Sequence, residues 1–357
     1  MSRRVLQEFM LKIKSKDIAK ELGVSTATVS LAINGKPGVN QRTRAYILEY
    51  IERKQHDEYG LINRQKVKKE GLIVFLIYKK HGIIFGRGQD SMSLFFQEIK
   101  RIAGESGYNF TLAYYQEQYD DLEKMLINWK SQHIRGLYMM GAEMNQGDIY
   151  PFFQLNIPIV VGDNDFYNEG IDSYMVDNRD GINRAVDYLI DYGHSHIVYL
   201  AENIDIYNFN ERREAFVLEM AKRECGDVSQ RIVNLGKTVE EVYQTMSSYL
   251  NGSHMKTTAF VLESSVVSLG VTKALLENNI CIPKDISLIG FDALPEKIFP
   301  GFELTLIKGT HTRRHMAAVK HLIRHIEESE VEIVRTYYRT RIFEGNSVFD
   351  KTKYIYT

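Results

Sequence analysis

The sequence predicts an α-helical helix-turn-helix head followed by an α/β body of two doubly wound, parallel-sheet subdomains, and three observations carry that prediction. Apolar residues keep helical spacing through three short segments before residue 55. From Gly71 onward short apolar strands alternate with amphipathic helices, and the alternation restarts midway. Charge divides at the same boundary: up to Glu70 there are 15 Lys+Arg against 8 Asp+Glu, and beyond it 30 against 38, within a chain of 357 residues whose net charge is -1. A basic head on an acidic body favours nucleic acid or another anionic surface as the head's partner; a solvated charged face is the plainer alternative.

Composition excludes several classes. With 44% hydrophobic and 25% charged residues the chain is of ordinary globular make-up, and 6 Pro with 25 Gly form no low-complexity tract. The apolar run from Leu72 to Tyr78 is far short of the roughly 18 residues that suggest a membrane span. Met1 to Lys14 is broken by Arg3, Arg4, Glu8, Lys12 and Lys14, so a secretory core is missing and a cytoplasmic protein without membrane association is expected. Cys225 and Cys281 have no CxxC partner, which supports neither a disulfide framework nor a zinc site; buried or inert thiols are expected.

In the head, Ile18, Ala19 and Leu22, then Val29 and Ile33, then Ile47, Leu48 and Ile51 mark three helices. Gly23 suits the left-handed end of the first, Ser25 caps the second and Asn40 the third. A tight Gly23-Val24-Ser25 turn between two short helices is the arrangement that sends a second helix amino end first into the major groove. Thr26, Ala27, Thr28 and Ser30 are then the groove-facing residues, small enough to approach bases and thymine methyls, while Ser25, Asn34, Lys36, Arg42 and Arg44 suit phosphates. A three-helix bundle for protein contacts, its hydroxyls serving only as caps, is the alternative.

The stretch DIAKELGVSTATVSLAINGKPGVNQRTR closely resembles the DNA-binding domain of the LacI/GalR (lactose and galactose repressor) family. The resemblance implies that Thr26 and Ala27 open a recognition helix and discriminate bases. Leu31 departs from it, because many members carry there an arginine that reads guanine, a contact worth about 1–3 kcal/mol of discrimination. The head is assigned to residues 1–55 and a linker or hinge to 56–70, where QHDEYGLINRQKVKKE turns polar and basic. Relatives fold this segment into a hinge helix that wedges a leucine into the minor groove. Here Glu58 and Gln65 occupy the proline and leucine positions, with only Ile62 or Val67 apolar nearby. Weaker DNA bending follows, with Arg64, Lys66, Lys68 and Lys69 as phosphate contacts or as a solvated tether.

Residues 71–357 form the effector-binding and dimerisation domain of this reading, with crossings between its subdomains near 177, 306 and 329. Its first half reads LIVFLIY, a helix near Met92–Glu105, NFTLAYY, a helix near Asp120–Lys130, IRGLYMM and PIVVG. The second reads a helix over Asp180–Tyr192, HIVYLA, a helix over Asn210–Glu224, a strand around Ile232, TTAFVL, a helix to Asn279, and ISLIG. Ligands of such sheets gather beyond the carboxyl ends of strands, so the cleft between the halves is the expected site. No GxGxxG, GxxxxGK[ST] or GxSxG follows a strand, which removes dinucleotide, P-loop and serine-hydrolase readings, and no cofactor or enzymatic activity is expected. His311, His315, His321 and His325 share about 120° of one helix. HTRRH lacks the glutamate of HExxH and no acidic or cysteine cluster accompanies it, so a packed or polar face is expected and no metal.

The family resemblance extends over this body through FFQEIKRIAGESGYNFTLA, VDNRDGINRAVDYLIDYGHSHIVYLA and IPKDISLIGFDALPEKIFPGFELTLI, which resemble the periplasmic-binding-protein-like effector domain of those regulators. It implies that Arg212 and Asp292 bind a small effector, by the family's habit a sugar. An arginine fork facing a carboxylate suits vicinal hydroxyls or a heterocycle edge, and an interdomain salt bridge is the alternative. Asp163 is a third polar candidate; Tyr207 and Phe209 are either stacking or packing residues, and Ser264 is either a cap or a ligand contact. Ser264-Ser265 replaces a usual Asn-Asp pair, Ala293 a second aspartate and His315 a glycine. The function that follows is a sequence-specific regulator, a repressor by family custom, acting as a homodimer on a pseudo-palindromic double-stranded operator. An effector-independent regulator, a solute-binding protein and an enzyme remain as alternatives.

Overall fold

The computed structural model describes residues 15–33, 71–82, 89–223, 231–252, 257–292, 301–328 and 331–354, with residues 38, 39, 43, 44, 47, 228, 294, 298 and 299. It divides into two compact units, Met1–Lys68 with Ile326–Glu330, and Lys69–His325 with Val331–Thr357. In the head, α1 (Ser15–Leu22) and α2 (Thr26–Ile33) are joined by a turn in which Gly23 sits at φ 66°. A side chain there would meet the steric cost of the left-handed region, which glycine escapes. The Val24 N–H reaches back to the Ala19 carbonyl, and the Thr28 N–H donates to Ser25 Oγ at 3.0 Å, the N-cap expected of Ser25. Ile18, Ala19, Val29, Ala32 and Ile47 close the core of this unit. Asn40, Leu48, Ile51 and the whole linker, including Arg64, fall outside the described residues.

The body holds two six-stranded sheets. The first runs in the order β11-β5-β4-β3-β1-β2, from β1 (Leu72–Lys79), β2 (Asn109–Gln116), β3 (Ile134–Met140), β4 (Ile159–Gly162), β5 (Asp172–Val176) and β11 (Arg335–Tyr338), all parallel. The second runs β12-β10-β9-β8-β6-β7, from β6 (Ile197–Glu202), β7 (Ile232–Gly236), β8 (Ala259–Leu262), β9 (Ser287–Phe291), β10 (Thr305–Lys308) and β12 (Arg341–Phe343). Helices α3 (Gln89–Glu105), α4 (Leu122–Ser131), α5 (Asn178–Asp191), α6 (Tyr207–Lys222), α7 (Val239–Leu250), α8 (Ser265–Glu277) and α9 (His311–Glu327) accompany them. Residues Ile73–Tyr78 are all buried, as expected of a central parallel strand covered on both faces, which is why LIVFLIY shows no alternation.

The doubly wound body predicted from the sequence is therefore present, with three corrections. Strand β12 pairs antiparallel to β10, so the second sheet is not wholly parallel. Strands β5, β10, β11 and β12 are short, and β11 alternates exposed and half-buried positions, which left them without a distinct apolar run. The chain passes between lobes at Asp177, at 309–310 and at 339–340, the last two further along than 306 and 329. These crossings are tied together. The Asp177 N–H donates to the Tyr338 carbonyl, Thr340 Oγ1 donates to Asp180 Oδ2 at 3.0 Å, and a Cβ on Gly309 would stand 2.5 Å from Val176 Cγ2.

Among the described residues no helix is long and apolar enough to cross a membrane. Of the expected buried or inert thiols, Cys281 is exposed and so is not a buried one, and Cys225 lies outside the described residues. His194 occupies the turn before β6; it is buried between Thr258 Oγ1 and the Phe349 carbonyl, each 3.0 Å away, and burial lowers its pKa.

Candidate DNA-reading helix and interlobe site

Helix α2 divides into two faces. Val29 and Ala32 are buried, while Ser25, Thr26, Ala27 and Ser30 are exposed and Thr28 is half-buried. Thr28 Oγ1 pairs with Ser25 Oγ at 2.7 Å, so these two hydroxyls hold the helix start, while Thr26 and Ala27 stand outside that pair. Leu31 is half-buried and packs toward Gly38, where a Cβ would come within 3.2 Å of Leu31 Cδ1. Arg44 is helical and half-buried; Asn34, Lys36 and Arg42 fall outside the described residues.

In the body, Asp163 follows β4 and Asp292 follows β9, each at the carboxyl end of its strand and each in the left-handed region, at φ 64° and 72°. Non-glycine residues held there carry strain that surrounding contacts must outweigh, and such positions gather at binding sites. Arg212, on the second turn of α6, is buried with its guanidinium 3.6 Å above the Phe291 ring. Gly181 makes room for that ring, since a Cβ there would lie 2.6 Å from Phe291 Cε2. Arg212 Nε donates to Asn178 Oδ1 at 2.8 Å and Nη1 to the Glu263 carbonyl at 2.7 Å. Its fork meets Asp292 at 3.3 and 3.4 Å, longer than a tight charge-assisted pair, and the Asp292 side chain keeps 29% of its surface exposed.

The network continues across the lobes. Asn178 Nδ2 donates to Asn208 Oδ1 at 2.7 Å, and Asn208 Nδ2 donates to the Asp163 carbonyl at 3.0 Å. Asp163 Oδ1 pairs at 2.5 Å with Nη2 of the wholly buried Arg314, which also lies 3.2 Å from His315 Nε2. An arginine has no acceptor, so His315 Nε2 accepts and the ring carries its proton on Nδ1, 2.5 Å from the Tyr138 hydroxyl. Gly162 permits that contact: a Cβ there would fall 2.0 Å from the Tyr138 hydroxyl oxygen. Arg314 Nε and Nη1 are buried without a hydrogen-bond partner.

The remaining candidates have other employment. Ser264 Oγ caps α8 through the Val267 N–H at 3.2 Å, the cap alternative of the sequence reading. Phe209 packs with Ile204 and Ile206. The Tyr207 hydroxyl bonds Tyr337 of β11, and burial, followed by the charge of Glu211, raises its pKa. Beside Ser264, the fully buried Glu263 accepts from Arg213 Nε at 2.7 Å and Nη2 at 2.8 Å, from Tyr199 at 3.0 Å and from the Glu202 N–H at 2.7 Å. Burial raises its pKa against the pull of Arg213. A cavity of about 280 Å³ opens at the carboxyl ends of β1, β6 and β7, lined by His81 and Asn145 of the first lobe and Asn203, Ile204, Asp205 and Lys237 of the second. None of the residues expected at the effector site lines it.

Sequence reasoning missed Asn178, Asn208 and Arg314. Arg314 stands in the HTRRH segment, where nothing local distinguishes a buried arginine from its exposed neighbour Arg313. The histidine face is also divided: His315 joins the Asp163 network, whereas His321 and His325 turn to Asp172. An acidic group does accompany those two, contrary to the sequence reading, because it comes from a strand 149 residues away from His321.

Comparison with known proteins gives two family matches. The model for bacterial regulatory proteins of the lacI family matches residues 14–55, and that for a periplasmic binding protein-like domain matches residues 186–348. The HTH-type transcriptional repressor PurR of Glaesserella parasuis serovar 5 is 26% identical over 314 residues, 88% of this chain and 90% of that protein. Among solved structures, the lac repressor dimer bound to operator and the anti-inducer ONPF superposes with a TM-score of 0.65 at 18% identity, covering 94% of this chain and 99% of the other. The CelR transcriptional regulator in complex with cellobiose gives 0.64 at 18% identity over 94% and 100%. At these identities the two structures speak to the fold.

Proposed function

The chain belongs to the LacI family of bacterial regulatory proteins and is a DNA-binding transcriptional regulator, and on that premise we propose that it represses transcription as a cytoplasmic homodimer on a pseudo-palindromic operator. It is a regulator and not an enzyme. The observation that carries the reading is the two-faced α2, whose buried Val29 and Ala32 fix the helix while Thr26 and Ala27 stand exposed at its amino end. A helix entering the major groove that way presents those two side chains to base edges, and basic residues of the head hold the phosphates. Two-fold symmetry of a dimer is mirrored in two half-sites. Selection from a random duplex pool at fixed salt is expected to enrich an inverted repeat; equal retention of all sequences refutes the proposal.

The body binds a small polar effector, a sugar, between its lobes, with Arg212 and Asp292 as the recognising pair and Asp163 beside them. What supports this is the loose Arg212–Asp292 contact at 3.3–3.4 Å and the partly open carboxylate, both of which a ligand with vicinal hydroxyls improves. The complex of a fold relative with cellobiose agrees with that class. Effector alters DNA affinity only through its differential affinity for two states of the body. A second reading, a regulator that senses nothing, is favoured by the Asn178–Asn208–Asp163 bridge, which joins the lobes through the protein's own polar groups. Thermal-shift screening of pentoses, hexoses, disaccharides and nucleobases separates the two. A ligand at about 100-fold its Kd adds about 2.7 kcal/mol to apparent stability, and Arg212→Met is expected to remove that gain. No stabilisation by any compound favours the second reading.

A further inference from the structure

The face of α9 that carries His321 and His325 converges on Asp172, the first residue of β5. His321 Nε2 lies 2.9 Å from Asp172 Oδ1, His325 Nε2 lies 2.9 Å from Asp172 Oδ2, and the two Nε2 atoms are 3.2 Å apart. All three side chains are buried. The rings stand nearly perpendicular, at 73° with centroids 4.8 Å apart, and one ligand atom from each of the three residues lies within 4.8 Å of the others. We propose that His321, His325 and Asp172 form a binding site for one zinc-class divalent cation per chain, a site independent of the interlobe network.

Four arguments lead there. Zinc takes nitrogen and oxygen ligands at about 2.0–2.1 Å, and tetrahedral placement at that radius sets ligand atoms about 3.3–3.4 Å apart, close to the separation of the two imidazole nitrogens. Histidines four residues apart on a helix, completed by a carboxylate from another element, supply three protein ligands and leave a fourth position for water. The carboxylate is oriented from behind, because the Val334 N–H donates to Asp172 Oδ1 at 2.7 Å, the outer-shell support that metal ligands need. Both histidines also lie in the last two turns of α9, where the carbonyl end of the helix favours a cation. A bound ion pins α9 to β5. The same helix carries Arg314 and His315, so its register along the first lobe bears on how Asp163 is held.

The test uses full-length, tag-free protein stripped with chelator and titrated with Co²⁺, whose visible d–d bands distinguish tetrahedral from octahedral coordination. Saturation at one Co²⁺ per chain with tetrahedral bands, displacement by one equivalent of Zn²⁺, and a raised melting temperature with Zn²⁺ are expected. His325→Gln and Asp172→Asn should lower the affinity at least 10-fold, while His133→Gln, at an exposed histidine, leaves it unchanged. Absence of stoichiometric Co²⁺ or Zn²⁺ from the unaltered protein, or octahedral bands alone, overturns the proposal. Undiminished binding by folded His321→Gln and His325→Gln does so equally. Should those variants fail to fold, stoichiometry and spectrum of the unaltered chain decide.

Discussion

Exchanging Thr26 and Ala27 together for other small residues is expected to weaken binding to the selected operator by about 30-fold to about 10⁴-fold, because removing each base-edge interaction costs roughly 1–3 kcal/mol. Neither residue serves the packing of the head: both are exposed, and the hydroxyl pair that starts α2 is made by Ser25 and Thr28. The effect should therefore appear as weaker discrimination and not as unfolding. Both side chains are uncharged, so the number of phosphates neutralised stays the same and the slope of log affinity against log salt is unchanged. Fluorescence anisotropy with the selected and a scrambled duplex, at several salt concentrations, measures both. Equal weakening of both duplexes, with the preference between them preserved, would place Thr26 and Ala27 on the backbone and not on the bases.

The second large effect concerns stability. Glu263→Ala is expected to destabilise the body by about 3–5 kcal/mol, the usual cost of removing one partner from a buried ion pair. The carboxylate is wholly buried and satisfies Arg213, the Tyr199 hydroxyl and the Glu202 N–H together, so truncation strands a cation and two donors at once. Glu263→Gln keeps the shape and one acceptor, and should cost less. Chemical denaturation followed by circular dichroism measures the difference. A destabilisation below about 1 kcal/mol for the alanine variant would mean that the ion pair and its hydrogen bonds contribute little over well-packed apolar side chains.

Legibility in the sequence varies with the range of the interaction. Ser25 as a cap and Gly23 as a left-handed turn are readable because each acts on a neighbour within a few residues. Arg212 and Asp292, which the structure pairs, enter through family resemblance; nothing in local spacing says that residues 80 apart meet. Asn178 and Asn208 are invisible for the same reason, since a lone asparagine near a helix start reads first as a cap. The short β11 and β12 escape notice because edge strands bury only part of their side chains and leave no apolar run.

Periodicity and charge are properties of consecutive residues, so the amino-acid order alone determined that a cationic helix-turn-helix head precedes an acidic αβ body and which face of α2 turns outward. Contacts between distant segments have no such signature. Only the folded chain decided that Asn208 reaches across the lobes to Asp163, that Arg314 is buried against that aspartate, and that two histidines of α9 share Asp172. Those meetings depend on how crossing strands and helices are stacked, and a side chain at Gly162 would run into the Tyr138 hydroxyl, or one at Gly309 into Val176, without altering any local pattern.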